Sequence, residues 1–149
     1  MIGLGIMGSA MAQALIDAGF RVIGTDVRST RRQWLQRTGG ADLASCGAVA
    51  NNAEVLIMSL PSVAALEQVV AEIALVSEHS RKAQRDLLVI ETSTLPIADK
   101  KRAMSTLRRV GVSMIDCPIK RHSKADERRW LDNLRQWQRK FMQESEADL

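Results

Sequence analysis

Gly3-Leu4-Gly5-Ile6-Met7-Gly8 is a hexad whose residue types and spacing suit the holding of a pyrophosphate. In a G-x-G-x-x-G turn the first glycine permits the tight bend and the second lets backbone approach a phosphate. The third lets the following helix pack close on the strand. The helix start beyond it offers free N–H groups and the positive end of the aligned peptide dipoles. Alone the hexad is a weak signal, because a ligand-free glycine turn satisfies the same spacing. The fingerprint also asks for an acidic residue closing the next strand about 20 residues on. Asp26 stands there. Its carboxylate would accept hydrogen bonds from ribose hydroxyls and repel a 2′-phosphate, which favours NAD. Arg28, Arg31 and Arg32 follow at once. Arginines just past this strand suit a 2′-phosphate, so NADP stays open, and they suit a solvated helix face equally well.

These residues need a particular scaffold. Residues 2–5 read as the end of a very short strand, and residues 7–18 as a helix with Met7, Met11, Ala14, Leu15 and Ala18 at helical spacing. Gly19 suits the stop of that helix. Residues 21–26 are the second strand, and Ser29 or Thr30 suits the cap of a helix ending at Arg37. A weak strand at 42–44 and a helical turn at 46–51 come next. Residues 55–60 and 87–92 are apolar runs fit for buried parallel strands. Between them lie a helix at 63–74, capped by Ser62, and a polar loop at 78–86. A helix at 97–110 and a strand at 112–117 lead to Pro118. Strand and helix alternate throughout. The pattern predicts an α/β, Rossmann-type doubly wound parallel sheet in order 3-2-1-4-5-6.

Composition narrows the setting. Hydrophobic residues are 46% and charged residues 26% of the 149, the balance of a soluble globular protein with room for one core. No apolar stretch approaches the roughly 20 residues needed to cross a bilayer. The start carries no secretion-signal pattern, so no membrane partner and a cytoplasmic location are expected. A net charge of +4 does not by itself argue for nucleic acid, and none is expected as a partner. Cys46 and Cys117 lack metal or redox spacing and read as free thiols; no metal site is expected. His79 and His122 read as loop and tail residues, and Trp34 as a packing residue. All nine glycines and all three prolines lie at or before Pro118, whereas residues 119–149 hold two of the three tryptophans. The expected division is a dinucleotide domain at 1–118 and a basic amphipathic tail at 119–149.

With those residues in place, the chain resembles the β-hydroxyacid dehydrogenases, of the 3-hydroxyisobutyrate, tartronate semialdehyde and L-threonate type, with 6-phosphogluconate dehydrogenase more distant. The opening GLGIMGSAMAQALIDAGFRVIGTDV is similar to that family's glycine signature. VLIMSLPS resembles its apolar strand ending in Leu-Pro, VIETSTLP its acidic-x-Ser-Thr loop, and GVSMIDCPI its Asp-x-Pro strand. ETSTLP and DCPI look closest to the threonate branch. The resemblance implies an oxidoreductase that moves a hydride between NAD(P) and a small β-hydroxyacid. It implies that Ile6 and Met7 lie under the pyrophosphate, that Leu60 and Pro61 flank adenine and ribose, and that Ser93 and Thr94 lie near the nicotinamide. Ser93 to Pro96 suits a helix-entry cap as well.

The resemblance stops at Ile119. The family continues with a glycine-rich turn for the substrate carboxylate and a helical domain that supplies a catalytic lysine. Here Lys120-Arg121-His122 follows, and Lys120, Lys124 and Lys140 match no such motif, so no catalytic residue is assigned. The family also carries more strand residues before the first glycine. The expectation is a truncated chain, lacking the catalytic half and inactive as given. In the tail, Trp130, Leu134, Trp137 and Phe141 form one helical stripe. A shifted reading frame across residues 121–138 gives text resembling the family's continuation. A frameshift origin and an evolved tail both stand. So do a noncatalytic dinucleotide-binding or partner-binding module, a non-functional product, and any oligomeric state.

Overall fold

A computed structural model describes residues 1–79 and 87–118, together with Asp132 and Gln136, both helical and exposed. In chain order the elements are α1 (Ile6–Asp17), β1 (Ile23–Gly24), α2 (Ser29–Arg37), β2 (Ala41–Asp42), α3 (Cys46–Asn52), β3 (Val55–Met58), α4 (Val63–His79), β4 (Leu88–Glu91), α5 (Ile97–Arg109) and β5 (Ser113–Asp116). β1 pairs with β2, β3 with β4 and β4 with β5, all parallel. The two groups of strands meet at Ile2, which bridges Thr25 on one side and Met58 on the other. Ile2 N–H donates to Ile57 O at 2.8 Å and Gly3 N–H to Thr25 O at 3.1 Å, while Ile2 O accepts from Ser59 N–H at 2.9 Å. With Ile2 counted as the first strand, the order is the expected 3-2-1-4-5-6.

Alternate residues of each strand face opposite sides, and both sides are filled. Leu56, Met58, Val89 and Met114 pack with Val49 of α3, Leu66, Val70 and Ile73 of α4, and Leu107 of α5. Ile57, Leu88 and Ile90 pack with Met11 and Leu15 of α1 and Leu35 of α2, with Trp34 against the same cluster. Each such side chain withdrawn from water contributes about 1.5–3 kcal/mol. Cover on the α1 side runs out at the sheet edge. Ile57, Ile90 and Ile115 stand in register across three strands, yet are 3%, 5% and 41% exposed. At the amino-terminal end of the strands, away from the glycine turn, a cavity of about 380 Å³ opens beside Met1, Phe20, Val22, Ala53 and Val55.

Helix termini depart from the sequence reading in three places. Ser29 and Thr30 lie inside α2, whose cap position is Arg28. The Arg28 N–H donates to Asp26 Oδ1 at 2.8 Å, so an aspartate turn two residues upstream takes the role assigned to the hydroxyls. Ser93 does not cap α5. The cap position is Pro96, and the Ser93 hydroxyl turns toward β3 instead. α4 runs one turn past Ala74 to His79, because Val76 continues the apolar stripe of Val69 and Ile73 into the core. His79 is thus a helix-end residue, its Nδ1 2.7 Å from Leu75 O. Elsewhere the caps stand as read: Ala65 N–H donates to Ser62 Oγ at 3.2 Å, and Gly19 ends α1 at φ +87°. Residues 80–86 of the expected loop, His122, and the stripe of Trp130, Leu134, Trp137 and Phe141 lie outside the described residues.

Candidate dinucleotide site

The glycine turn leaves the sheet at Gly3, whose φ of +85° disfavours any side chain. A Cβ there would meet Ser59 O at 2.2 Å, and one at Gly8 would meet Gly3 O at 1.9 Å. Both positions are closed by the protein's own backbone. Gly5 differs. A Cβ on it would find nothing nearer than the Arg31 guanidinium, at 3.9 Å. The space above Gly5 is open, bounded by a cation, at the start of α1. No side chain caps α1, and its first backbone acceptance runs from Ser9 N–H to Gly5 O at 2.8 Å. The N–H groups of Ile6, Met7 and Gly8 therefore face the end of the helix. Ile6 is 89% exposed over this end, whereas Met7 packs partly into the core.

Asp26 closes β1 beside this turn and is almost wholly buried. Its Oδ2 accepts the Leu4 N–H at 2.7 Å, its Oδ1 accepts the Arg28 N–H, and Arg31 pairs with Oδ2 at 3.2 Å. Arg32 turns away, donating to Asp26 O at 2.6 Å and pairing with Asp42 at 3.4 Å. Arg28 and Val27 are exposed. The predicted aspartate is thus a structural clamp on the turn as well as a negative group beside it.

The other predicted residues gather at the carboxyl ends of β3 and β4. Leu60 is half-buried and Pro61 exposed; Ser93 is buried and Thr94 exposed. Ser93 Oγ accepts the Leu60 N–H at 2.7 Å, and Thr92 Oγ1 donates to Met58 O at 2.7 Å, so side chains lace the two strand ends together.

Sequence reasoning missed what lies beneath. Glu91, Lys100 and Asp116 form a cluster at the ends of β4 and β5. Lys100 Nζ donates to Asp116 Oδ1 and to Ser93 O, each at 2.5 Å, and lies 2.8 Å from Glu91 Oε2 in an ion pair rather than an aligned hydrogen bond. Glu91 Oε1 accepts the Ser93 N–H at 2.9 Å. Glu91 is 0% and Lys100 3% exposed. Burial alone would lower the Lys100 pKa, but its pairing with the Asp116 and Glu91 carboxylates outweighs that and raises it above 10.5. A signal existed: Glu91 and Asp116 each end an apolar strand, and parallel register sets them side by side. A fully buried carboxylate beside a second, partly exposed one requires a cation, and the connecting helix supplies one.

A glycine-lined helix start, an acid closing the second strand and polar strand ends define a nucleotide-binding domain of the Rossmann type. Residues 1–128 match the NAD binding domain of 6-phosphogluconate dehydrogenase, and the chain belongs to that family. It is 30% identical to L-threonate dehydrogenase of Cupriavidus necator over 119 residues, which cover 80% of this chain and 39% of that protein. It is 31% identical to 3-sulfolactaldehyde reductase of Escherichia coli over 122 residues, covering 82% and 40%. Among solved structures, Mycobacterium tuberculosis 3-hydroxyisobutyrate dehydrogenase with L-serine matches with a TM-score of 0.72 and 26% identity, over 80% of this chain and 39% of that one. The resemblance read from the sequence is borne out. The chain spans about two fifths of the length of the curated relatives it matches.

Proposed function

We propose that this chain binds NAD in preference to NADP across the glycine turn, and that it is the cofactor-binding part of an oxidoreductase acting on a small β-hydroxyacid. The observation that carries the reading is the contrast among the glycines. Gly3 and Gly8 are forced by the fold, whereas nothing in the fold crowds Gly5, and a side chain there would fill the space a pyrophosphate needs. The residues therefore fit a dinucleotide. Gly5 and the N–H groups of Ile6 to Gly8 would hold the phosphates, and Asp26 the adenosine ribose. Leu60, Pro61, Ser93 and Thr94 would line the remaining edge. When bound, the nicotinamide ring takes up or gives a hydride.

Among the described residues no side chain stands free to take the substrate's hydroxyl proton beside Thr94, since Lys100 is held by three oxygens. The 149-residue chain is therefore expected to bind cofactor without turning substrate over. The test is calorimetry with NAD and NADP, alongside an assay for NADH formation with threonate, 3-hydroxyisobutyrate, glycerate and 6-phosphogluconate. NAD binding with no turnover supports the reading. Absence of binding overturns the dinucleotide site, and turnover overturns the assignment of inactivity. A second reading, NADP, draws on Arg31, whose guanidinium borders the Gly5 space. Equal or tighter NADP binding would favour it.

A further inference from the structure

In an open α/β sheet the dinucleotide lies across the carboxyl ends of the strands, with the pyrophosphate at the central turn. Asp26 takes the β1 side for the adenosine half, so the nicotinamide half falls over the ends of β3 and β4. Ser93 occupies that place, and all three of its polar groups are held, two of them by the Glu91–Lys100 cluster. Its N–H goes to Glu91 Oε1, its carbonyl to Lys100 Nζ, and its hydroxyl to the Leu60 N–H. The first two contacts close a ring, because Lys100 and Glu91 also pair with each other. From the ring Lys100 reaches on to Asp116, tying in the end of β5. Thr94, the next residue, is exposed at the surface this ring supports.

Stability alone gives little reason for the arrangement. Taking a lysine and a glutamate out of water costs heavily, and apolar residues of similar volume serve packing as well or better. What charge adds here is direction. It fixes the two peptide groups that flank Ser93, one through its N–H and the other through its C=O. The geometry points to Lys100 as a positioning residue for the nicotinamide half of the site: its ion ring with Glu91 sets the peptide groups on both sides of Ser93, and through the second of them the Thr94 side chain, at the height the nicotinamide ring meets. This rests on the dinucleotide reading above.

The test compares affinity for NAD with affinity for ADP-ribose, which lacks the nicotinamide, in the whole chain. Lys100→Met alone strands a buried carboxylate and can fail to fold. The Lys100→Met/Glu91→Gln double variant removes both charges and keeps an amide oxygen for the Ser93 N–H. The expected result is a wild type that binds NAD at least tenfold tighter than ADP-ribose. The double variant should lose most of that increment, with ADP-ribose affinity changed less than twofold. A general structural role would weaken both ligands in parallel, and that result overturns the inference. So does an unchanged NAD increment, or a wild type that gains nothing from the nicotinamide. A wild type that binds neither ligand overturns the dinucleotide reading itself, and this inference with it.

Discussion

The N–H of Leu4 donates to Asp26 Oδ2 at 2.7 Å, joining the glycine turn to the end of the neighbouring strand. Asp26 thus has two separable duties. Asp26→Asn keeps an oxygen for the Leu4 N–H but turns an NH2 toward the Arg28 N–H and loses the charge, so it should melt between wild type and Asp26→Ala and discriminate less between NAD and NADP. Asp26→Ala loses both. A charge-assisted hydrogen bond contributes about 1.5–3 kcal/mol, so NAD affinity should fall tenfold or more and the melting temperature should drop with it. Calorimetry and thermal melts of the two variants check this; identical behaviour would leave Asp26 with only one duty.

Gly5→Ala and Gly8→Ala should part company. Alanine at Gly8 drives a methyl into Gly3 O, and overpacking of that kind costs about 1–3 kcal/mol or more. Alanine at Gly5 meets only open space on the protein side. Circular dichroism and melting of Gly5→Ala should match wild type while NAD affinity falls at least tenfold. A Gly5→Ala chain with full affinity would remove the main support for the pyrophosphate site.

Cys46 should be a slow nucleophile. Burial first, and the neighbouring Glu72 carboxylate second, push its thiol up to about 11. Compared with an ordinary thiol near 9.0, that leaves about 100-fold less thiolate at pH 8, where only the thiolate reacts. Timed iodoacetamide labelling read by mass spectrometry measures the lag. Glu72→Gln should recover part of the rate.

Stability of the chain with a free Met1 amine should climb between pH 5 and 8. Burial lowers that amine from 8.0 to about 5, so across this window the unfolded chain binds a proton that the fold excludes. At about 1.4 kcal/mol per pH unit the full effect is about 4 kcal/mol, absent above 8 and complete below 5. Urea melts across this range should show the slope. Acetylating the amine removes the titrating group and should abolish the slope. Lys100 behaves oppositely: its raised pKa stabilises the fold below about 10.5, and that support is lost as pH rises through the folded value.

The sheet order, the glycine turn and Asp26 were legible because each rests on local spacing: apolar runs for β3 and β4, three glycines, and an acid at a strand end. The caps were misread at Ser29 and Ser93 because a hydroxyl near a helix start has competing partners. Only the fold shows that Asp26 takes the Arg28 N–H and that the Ser93 hydroxyl meets Leu60. The Glu91–Lys100–Asp116 cluster was missed for a related reason. Its members are far apart in the chain, and register between β4 and β5 is a tertiary fact. Of the residues assigned to the cofactor, Gly5, Asp26, Leu60 and Ser93 all come to the carboxyl end of the sheet. Their contacts with one another could not be read from spacing.

Among the described residues, Ile2 is the one residue that bridges both the β1–β2 pair and the three strands β3, β4 and β5. The sheet therefore has a seam one residue wide, and cooperative unfolding depends on how well the two blocks communicate across it. Hydrogen exchange should find the amides of Thr25 and Ser59, which bond to the Met1-to-Ile2 segment, opening more readily than those inside β4. A dinucleotide reaching from Asp26 to Ser93 would straddle this seam, and its binding energy would be felt by both blocks at once. In this molecule the cofactor would act as a staple across the narrow backbone seam, adding to the side-chain core that already packs the two blocks together.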